Sequence, residues 1–316
     1  MKKIKAYSFR VLLKIYRKFS HSKRKKICLV IKKTNLPHNS FYKELKFEEK
    51  FKVKLSKNKS FYLMNYGGST EIEIFWKGLF TTWENDAGWI WIQVCQFCDV
   101  ILDIGANKGI YSLVAKTINP NATIYAFEPS IYTFDKLKKN VEINNYNIQC
   151  ESLAISNKTE DQIFYDLPLK NQTTASISPD KMKNFEGYKG EIIEYLVKTT
   201  TLTNYIEKNN IPKIDLIKLD IELHEPEAIE GMGDYLIKNK PIVLLEVLTE
   251  EIALKLNKLI DFNSFELFHL KKGAKAIPLS EFKTDEKSLR EFEWNYILFH
   301  KELKEKMKAK TTLYNS

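Results

Sequence analysis

From residue 99 onward, short apolar runs alternate along the chain with segments whose apolar residues recur every three or four positions. The first run is DVILDI, and it is followed by a glycine turn and by the helical pattern IYSLVAKTI. The second run is ATIYAFEP, residues 122–129, after which Ser130 is positioned to cap a helix. Further apolar runs occupy residues 147–156, 215–222 and 241–247. Apolar strands that alternate with helices predict a parallel sheet covered on both faces, which is the doubly wound α/β class.

Three parts of the chain depart from this alternation. Aromatic and β-branched stretches flank Gly67-Gly68 within residues 61–82, which predicts a strand, a turn and a second strand, and residues 83–97 follow as a predicted helix. Residues 34–60 show weak periodicity and are interpreted as a connector. A long insertion after residue 156 contains a predicted hairpin, and the two final strands, SFELFHL and WNYILFH, flank a polar loop.

The net charge of +10 is concentrated at one end of the chain. Residues 1–33 hold 13 Lys or Arg and no acid, which leaves a net charge of −3 for residues 34–316. A slightly acidic body has no long basic groove for nucleic-acid phosphates, and only four residues are Arg, the side chain that reads base edges. We therefore expect no nucleic-acid partner.

The basic segment also has the pattern of an amphipathic helix. One face of that helix carries the apolar side chains Ile4, Tyr7, Val11, Ile15 and Phe19. The other face carries Lys3, Arg10, Lys14 and Arg17, and the run KRKK follows at residues 23–26. Two interpretations are open: residues 1–33 adsorb to an anionic membrane surface or dock an acidic partner, or the helix caps the domain and exposes its lysines to solvent.

No run of 18 apolar residues occurs, so no membrane span is predicted.

The four cysteines, at positions 28, 95, 98 and 150, are too few and too clustered for a secreted disulfide framework. This usage predicts a reducing, cytoplasmic compartment. Cys95 and Cys98 form a lone CxxC without the second pair that a structural zinc site needs. We interpret them as packing residues before a core strand and predict no metal site.

Glycines and acids stand where the first two strands of the alternation end. Asp103, Gly105, Ala106, Asn107 and Gly109 follow the first strand, and Glu128 follows the second. Glycine lets a ligand approach the backbone, and an acid that ends the next strand can accept hydrogen bonds from both hydroxyls of a ribose. The G-x-x-x-G spacing lacks the dinucleotide fingerprint, and no P-loop motif occurs.

Over about residues 71–300, the segments EIFWKGLFTTWEND, VILDIGANKGIYSLVA, IYAFEPS, IDLIKLDIE and IVLLEV resemble the FkbM-type family of S-adenosylmethionine-dependent methyltransferases. The resemblance implies a class I methyltransferase fold, a Rossmann-like seven-stranded sheet ordered 3-2-1-4-5-7-6 with strand 7 antiparallel. It also implies a methyltransferase domain over residues 61–302, between a basic extension with its connector (1–60) and a Lys-rich tail (303–316).

The same resemblance assigns S-adenosylmethionine to the glycine turn. Asp103, Gly105, Asn107 and Gly109, with Ala106 in the same turn, would lie along the methionine end of this cofactor. Glu128 would hold the ribose, and the adenine would lie near residues 152–154. The alternative for Asp103 is a carboxylate that only ties the glycine turn together.

The fourth strand ends in K-L-D-I-E-L-H-E at residues 218–225. Its four candidate catalytic side chains are Asp220, Glu222, His224 and Glu225. Helix capping by acids accounts for Glu225 but poorly for Asp220 and Glu222. The family pattern here is similar to K-x-D-x-E-G-x-E, and Leu223 stands where a glycine is usual. A leucine at that position predicts a different backbone turn and a narrower pocket.

We expect Asp220 and Glu222 to orient a methyl acceptor, with His224 or Glu222 as the base. The predicted reaction is methylation of a hydroxyl of a carbohydrate, a glycolipid or a related metabolite. Two alternatives are a nucleic-acid or protein methyltransferase, and a non-catalytic binding protein that keeps the fold. The first lacks a Pro-Pro-aromatic clamp after LDIE, and Leu223 is the only support for the second.

Overall fold

The computed structural model describes residues 11–34, 40–166, 175–177, 192–284, 288, 291 and 293–315. The chain divides into two compact units, Met1–Trp83 and Glu84–Ser316. Within the described ranges, every helix is too short or too polar to span a bilayer.

The first unit contains helices and one β-hairpin. Its elements are a helical segment at residues 11–16, α1 (His21–Lys33), a 3-10 helix (Ser40–Glu44), β1 (Lys50–Lys54), β2 (Ser60–Met64) and α2 (Ser69–Lys77). β1 and β2 pair antiparallel. Phe47, Phe51 and Phe75 form its aromatic core, in which the rings meet edge to face at centroid distances of 4.8 to 6.3 Å.

The predicted second strand after Gly67-Gly68 is wrong, because that segment is helix α2. The sequence EIEIFW alternates locally, but Ile72, Phe75 and Trp76 are buried at helical spacing. The hairpin lies earlier, and β1 falls in the segment that was interpreted as a connector.

The N-terminal helical pattern is present, but its buried face differs from the predicted apolar face. Leu13 and Tyr16 are buried, whereas Val11, Ile15 and Phe19 are exposed. The run at residues 23–26 lies inside α1. The remaining residues assigned to this helix, Lys3, Ile4, Tyr7 and Arg10, lie outside the described residues.

The second unit is built on an eight-stranded sheet. The described strands of this unit are β3 (Val100–Ile104), β4 (Thr123–Phe127), β5 (Gln149–Glu151), β6 (Ala154–Ile155), β7 (Asp161–Asp166), β8 (Ile193–Thr200), β9 (Leu216–Leu219), β10 (Ile242–Glu246), β11 (Phe265–Lys271), β12 (Lys275–Leu279) and β13 (Asn295–His300). The described helices are α3 (Gly88–Cys95), α4 (Ile110–Ile118), α5 (Phe134–Glu142), α6 (Leu202–Asn209), α7 (Glu225–Glu230), α8 (Tyr235–Asn239), α9 (Glu250–Leu259) and α10 (Lys304–Lys310), with a 3-10 helix at Lys301–Leu303.

The strand order is β5-β4-β3-β9-β10-β13-β11-β12. This confirms the predicted order 3-2-1-4-5-7-6, and β13, the seventh strand of that scheme, is antiparallel to both of its neighbours. The predicted polar loop between the last two strands contains an eighth strand, β12, at the sheet edge. Pro278 is tolerated there because an edge strand leaves one row of backbone groups unpaired.

The predicted third strand, residues 147–156, is divided between two sheets. β5 pairs with β4 in the main sheet, whereas β6 pairs with β8 in a three-stranded sheet formed by the insertion. The predicted hairpin of the insertion is confirmed by the antiparallel pair of β7 and β8. Of the polar stretch at residues 171–180, the structure describes only 175–177, where Ser176 exchanges two backbone hydrogen bonds with Tyr165.

The segments around the sheet are packed rather than loose. Cys95 and Cys98 are buried and free, which confirms their interpretation as packing residues. The Lys-rich segment that was predicted as a tail contains α10, and it buries Met307 and Leu313. At the other side of the sheet, Tyr205 packs edge to face on Phe127, at 4.8 Å between ring centroids.

Two strand exits approach each other more closely than any side chain allows. Gly105 follows β3 with a φ of +81°, and a Cβ atom built there would lie 1.8 Å from the carbonyl oxygen of Asp220, which follows β9. The position therefore requires glycine for two independent reasons, the left-handed φ and the missing space.

We predict that Gly105→Ala lowers the free energy of unfolding by about 3 kcal/mol, because the added methyl group must displace the Asp220 backbone. Gly273→Ala is the matched control, since Gly273 has a φ of +78° but no atom within 4 Å of its added Cβ. The control should lower the free energy of unfolding by about 1 kcal/mol, because only the left-handed φ disfavours alanine there. Urea denaturation measures both free energies of unfolding. Equal losses in the two variants would contradict the close approach of Gly105 to the Asp220 carbonyl.

Candidate active site

The turn after β3 is tied to the neighbouring strand by its backbone. Gly105 and Ala106 both donate their N–H groups to the carbonyl of Phe127, at 3.0 and 2.8 Å. At Gly109 the φ is +82°, and a Cβ would lie 2.5 Å from Cδ1 of Leu137 in α5. The predicted cofactor turn is thus a fixed backbone loop enclosed by β4 and α5.

Glu128 lies directly after β4, beside this turn, and its side chain is buried. Its carboxylate accepts hydrogen bonds from the backbone N–H of Asn107 at 2.7 Å and from that of Ser130 at 2.8 Å. Burial raises the pKa of Glu128 to about 7, although these backbone donors oppose the shift. Glu128, which is predicted to bind the ribose, therefore also holds the glycine turn against the β4 exit. The hydroxyl of Thr133 is a further donor to this carboxylate.

Asp103 is the buried carboxylate of β3, exposed to 1%. One oxygen, Oδ2, accepts from the backbone N–H of Ser112 at 2.9 Å and from its hydroxyl at 2.6 Å, so Asp103 fixes the first turn of α4. The other oxygen, Oδ1, is buried without a hydrogen-bond donor among the described residues. Burial raises the pKa of Asp103, with Lys218 acting in the opposite direction. Both interpretations of Asp103 therefore have a structural basis: Oδ2 ties the turn, and Oδ1 is free to accept a hydrogen bond from a ligand.

The predicted adenine region follows β5. Glu151 accepts the backbone N–H of Glu128 through its carbonyl at 3.0 Å and the hydroxyl of Tyr205 through its carboxylate at 2.9 Å. A cavity of about 1000 Å³ begins beside Glu151 and Leu153, and most of its lining comes from β7, β8 and α6 and the residues next to them.

A buried lysine organises the exit of β9. Lys218, exposed to 3%, forms a 2.6 Å ion pair with Asp220, and its Nζ lies 4.3 Å from the ring centroid of Tyr111. The hydroxyl of Tyr111 donates to Glu84 at 2.8 Å. We call Glu84, Tyr111, Lys218 and Asp220 the Lys218 cluster. Burial opposes the charge of Lys218, but Asp220, Glu84 and Asp103 raise its pKa, so the amine stays protonated.

Several members of this site were not predicted from the sequence. Glu84 and Asp86 precede α3, and both accept from the amide of Asn295, at 3.3 and 3.0 Å. Glu246 ends β10 and is buried. Burial raises the pKa of Glu246 well above its ordinary value, and the carboxylates of Asp220 and Glu222 add to the shift. The sequence signal for Glu246 was an acid at the end of an apolar strand, as at Glu128.

The turn after Asp220 has two residues in the left-handed region, Glu222 at φ 59° and Leu223 at φ 76°. Leucine rarely adopts such a φ, whereas glycine does so readily. Leu223 nevertheless has the left-handed φ that glycine favours, and its side chain packs against the hydrophobic core. The different turn and the narrower pocket stay predictions. The hydroxyl of Ser176, from the insertion, donates to the carbonyl of Glu222 at 2.5 Å.

His224 is directed away from the Lys218 cluster. Its Nε2 lies 2.9 Å from the hydroxyl of Ser156, and its Nδ1 lies 3.6 Å from a carboxylate oxygen of Glu227. Burial lowers the pKa of His224, and Glu227 opposes the shift. Glu225 is fully buried and accepts the backbone N–H of Ile221 at 3.0 Å, which closes the turn.

A family model described as the methyltransferase FkbM domain matches residues 103–267, just over half of the 316-residue chain. The chain belongs to the FkbM methyltransferase family. It is therefore an S-adenosylmethionine-dependent methyltransferase, and its strand order is that of the class I fold.

Three relatives illustrate the FkbM family membership. The chain is 24% identical over 176 residues to the hexuronic acid methyltransferase AglP of Haloferax volcanii, covering 56% of this chain and 67% of the relative. It is 28% identical over 196 residues to methyltransferase 1 of Beauveria bassiana, covering 58% and 76%. It is 26% identical over 160 residues to the 31-O-demethyl-FK506 methyltransferase FkbM of Streptomyces tacrolimicus, covering 43% and 60%.

In the described part of this FkbM-family chain, no three or more His, Cys, Asp or Glu side chains are grouped so that they could hold a metal ion. The carboxyl groups at the β9 exit instead lie around the buried, protonated Lys218, which pairs with Asp220 and faces the Tyr111 ring. That arrangement leaves protons on several carboxyl groups, and this has a measurable consequence for stability.

We predict that the Glu225 carboxyl makes stability depend on pH. Burial raises its pKa from 4.5 to about 8, so between these values the unfolded chain loses the proton first and stability falls as pH rises. The slope contributed by this group is at most about 1.4 kcal/mol per pH unit. Glu225→Gln cannot ionise and still accepts a hydrogen bond, so its free energy of unfolding should be flatter with pH and higher above pH 8.

Urea denaturation at pH 5 and at pH 8 measures this difference. Glu251→Gln, which changes an exposed acid at the start of α9, is the control and should keep the slope of the unaltered protein. A Glu225→Gln variant whose stability falls as steeply as that of the unaltered protein would show that Glu225 is ionised in the folded state.

Proposed function

We propose that this methyltransferase methylates a hydroxyl group of a carbohydrate, a glycolipid or a related metabolite. The observation that carries the proposal is the carboxyl group of Glu84, which is held at the β9 exit by Tyr111 and Asn295 and has a pKa raised to about 7, mainly by burial. A hydroxyl acceptor must lose its proton, and a base whose pKa lies near neutrality is suited to take it. The names of two relatives, one acting on hexuronic acid and one on an oxygen of FK506, support the same chemistry.

The residues after β3 and β4 fit the cofactor. Oδ1 of Asp103 is a buried acceptor without a described donor, and Glu128 places a carboxylate directly after β4, beside the glycine turn. In the proposed site Asp103 and the turn from Gly105 to Gly109 hold the methionine end, and Glu128 accepts from the ribose hydroxyls. When bound, S-adenosylmethionine supplies an electrophilic methyl group on its sulfonium.

The acceptor lies at the β9 exit in this proposal. Asp220, fixed by Lys218, and Glu222 orient its hydroxyl, and Glu84 takes the proton of that hydroxyl. Orientation supplies much of the acceleration in such a transfer, and a positioned base adds about 10²- to 10⁴-fold. His224 serves the fold in this scheme, because its ring nitrogens face Ser156 and Glu227.

Two other functions make different demands on the site. A nucleic-acid or protein methyltransferase acting on an amine needs a clamp for that amine, and LDIEL offers acids instead of a Pro-Pro-aromatic sequence. A non-catalytic binding protein would not need a buried lysine that forms an ion pair with Asp220 at the strand exit. Incubation with labelled S-adenosylmethionine and a panel of uronic acids, neutral sugars, glycolipids, RNA and peptides tests the proposal. Label in RNA or peptide alone, or in none of the panel, would oppose it.

We predict that Glu128→Gln weakens binding of S-adenosylmethionine and S-adenosylhomocysteine about tenfold, because the ribose hydroxyls lose a charged acceptor. Isothermal titration calorimetry measures the two dissociation constants. Glu142→Gln, which changes an exposed acid at the end of α5, is the control and should leave both dissociation constants unchanged. Unchanged affinity in a folded Glu128→Gln variant would refute the ribose assignment.

We predict that Glu84→Gln lowers kcat by about 10²-fold and leaves cofactor affinity within a factor of two. In the unaltered enzyme kcat should rise with pH through about 7, as Glu84 loses its proton, and this rise should be absent in the variant. His224→Ala should retain the rise. If the rise disappears in His224→Ala and persists in Glu84→Gln, the imidazole is the base.

A further inference from the structure

The first unit exposes large apolar side chains on its two N-terminal helical segments. They are Val11, Leu12, Ile15 and Phe19 from the first segment, and Leu29 and Val30 from α1. Leu12 is 62% exposed and Val30 is 64% exposed, which are large fractions for aliphatic side chains. A group of this kind marks an interaction surface more often than it occurs by chance.

The packing of the two segments explains why these side chains face outward. Tyr16 donates to the carbonyl of Lys46 at 3.0 Å, and its hydroxyl lies 3.2 Å from Sγ of Cys28. Leu13, Tyr16 and Cys28 are therefore the buried side of the pair. Since Arg24 also donates to the backbone of Arg17, the orientation of both segments is fixed.

The same surface is strongly basic. Residues 1–34 contain no acid, and within the described range several basic groups are already engaged: Arg17 with Glu44, Lys25 with Glu49, and Lys32 with the carbonyl of Phe75. Five lysines of the range have no ion pair with a described residue, namely Lys14, Lys18, Lys23, Lys26 and Lys33. These lysines lie on or next to the same two helical segments that carry the exposed apolar side chains.

We propose that this surface binds the anionic face of a lipid bilayer. Aliphatic side chains among lysines match a bilayer interface, because the apolar groups enter the acyl boundary and the amines remain at the anionic headgroups. Nucleic acid would leave Leu12 and Val30 exposed to water, since phosphates offer them no apolar contact. A second copy of the same surface would bring like charges together. The activity proposed above is not needed for this inference.

Vesicle flotation with the full chain tests the proposal. Vesicles of phosphatidylcholine containing one third phosphatidylglycerol should carry the protein, and vesicles of phosphatidylcholine alone should carry at least tenfold less, with binding suppressed by salt. Leu12→Ser with Val30→Ser should weaken the partition about tenfold, and Lys14→Glu with Lys18→Glu should weaken it at least as much.

Matched controls lie in the second unit. Ile237→Ser with Leu254→Ser removes two aliphatic side chains that are 50% and 54% exposed, and Lys208→Glu with Lys258→Glu reverses two exposed charges. Both control pairs should partition within a factor of two of the unaltered protein. Circular dichroism verifies that all four variants are folded, so a loss of flotation reports the surface alone.

Four outcomes would overturn the proposal. The first is equal flotation with neutral and anionic vesicles, and the second is unchanged flotation of the Leu12→Ser, Val30→Ser pair. The third is a dimer in sedimentation velocity that this pair dissociates, which would show that the surface joins two copies of the chain. Retention of the protein by an acidic peptide or by RNA, without flotation on anionic vesicles, would likewise oppose a lipid partner.

Discussion

The close approach of Gly105 to the carbonyl of Asp220 joins the two halves of the candidate site. It brings the turn after β3, which carries the proposed cofactor residues, against the exit of β9, which carries the proposed acceptor residues. The parallel register adds to this, because Asp103 pairs with Lys218 across the two strands. Because the two strand exits are in contact, a displacement of one would also displace the residues at the other.

One buried cation balances the charges around this contact. Lys218 interacts with Asp220, Glu84 and Asp103, and a single ammonium group cannot compensate all the carboxylates at the strand exits. Ionising a buried carboxyl without a counter-charge is costly, so some of these groups keep their protons near neutral pH. Desolvation therefore disfavours the ionised carboxylates in the folded protein. It also raises the pKa of Glu84 to about 7, which is near the value that suits a general base.

The insertion between β5 and β9 takes part in this arrangement. Ser176 donates to the Glu222 carbonyl, and the carboxylate of Asp166 accepts from the hydroxyls of Ser130 and Tyr195. The insertion is therefore anchored both at the β9 exit and near the residues that follow β4.

The sequence by itself determined the alternation of strands and helices, the sheet order implied by the family resemblance, and the residues at the β3, β4 and β9 exits. These depend on local periodicity and on short motifs. The tertiary structure alone decided which distant groups meet, as when Asn295 reaches Glu84 and Asp86 from the start of β13. It also decided that residues 69–77 are helical and that Leu223 keeps a left-handed φ. Packing against non-local neighbours overrides a local pattern, and no spacing along the chain records which neighbours those are.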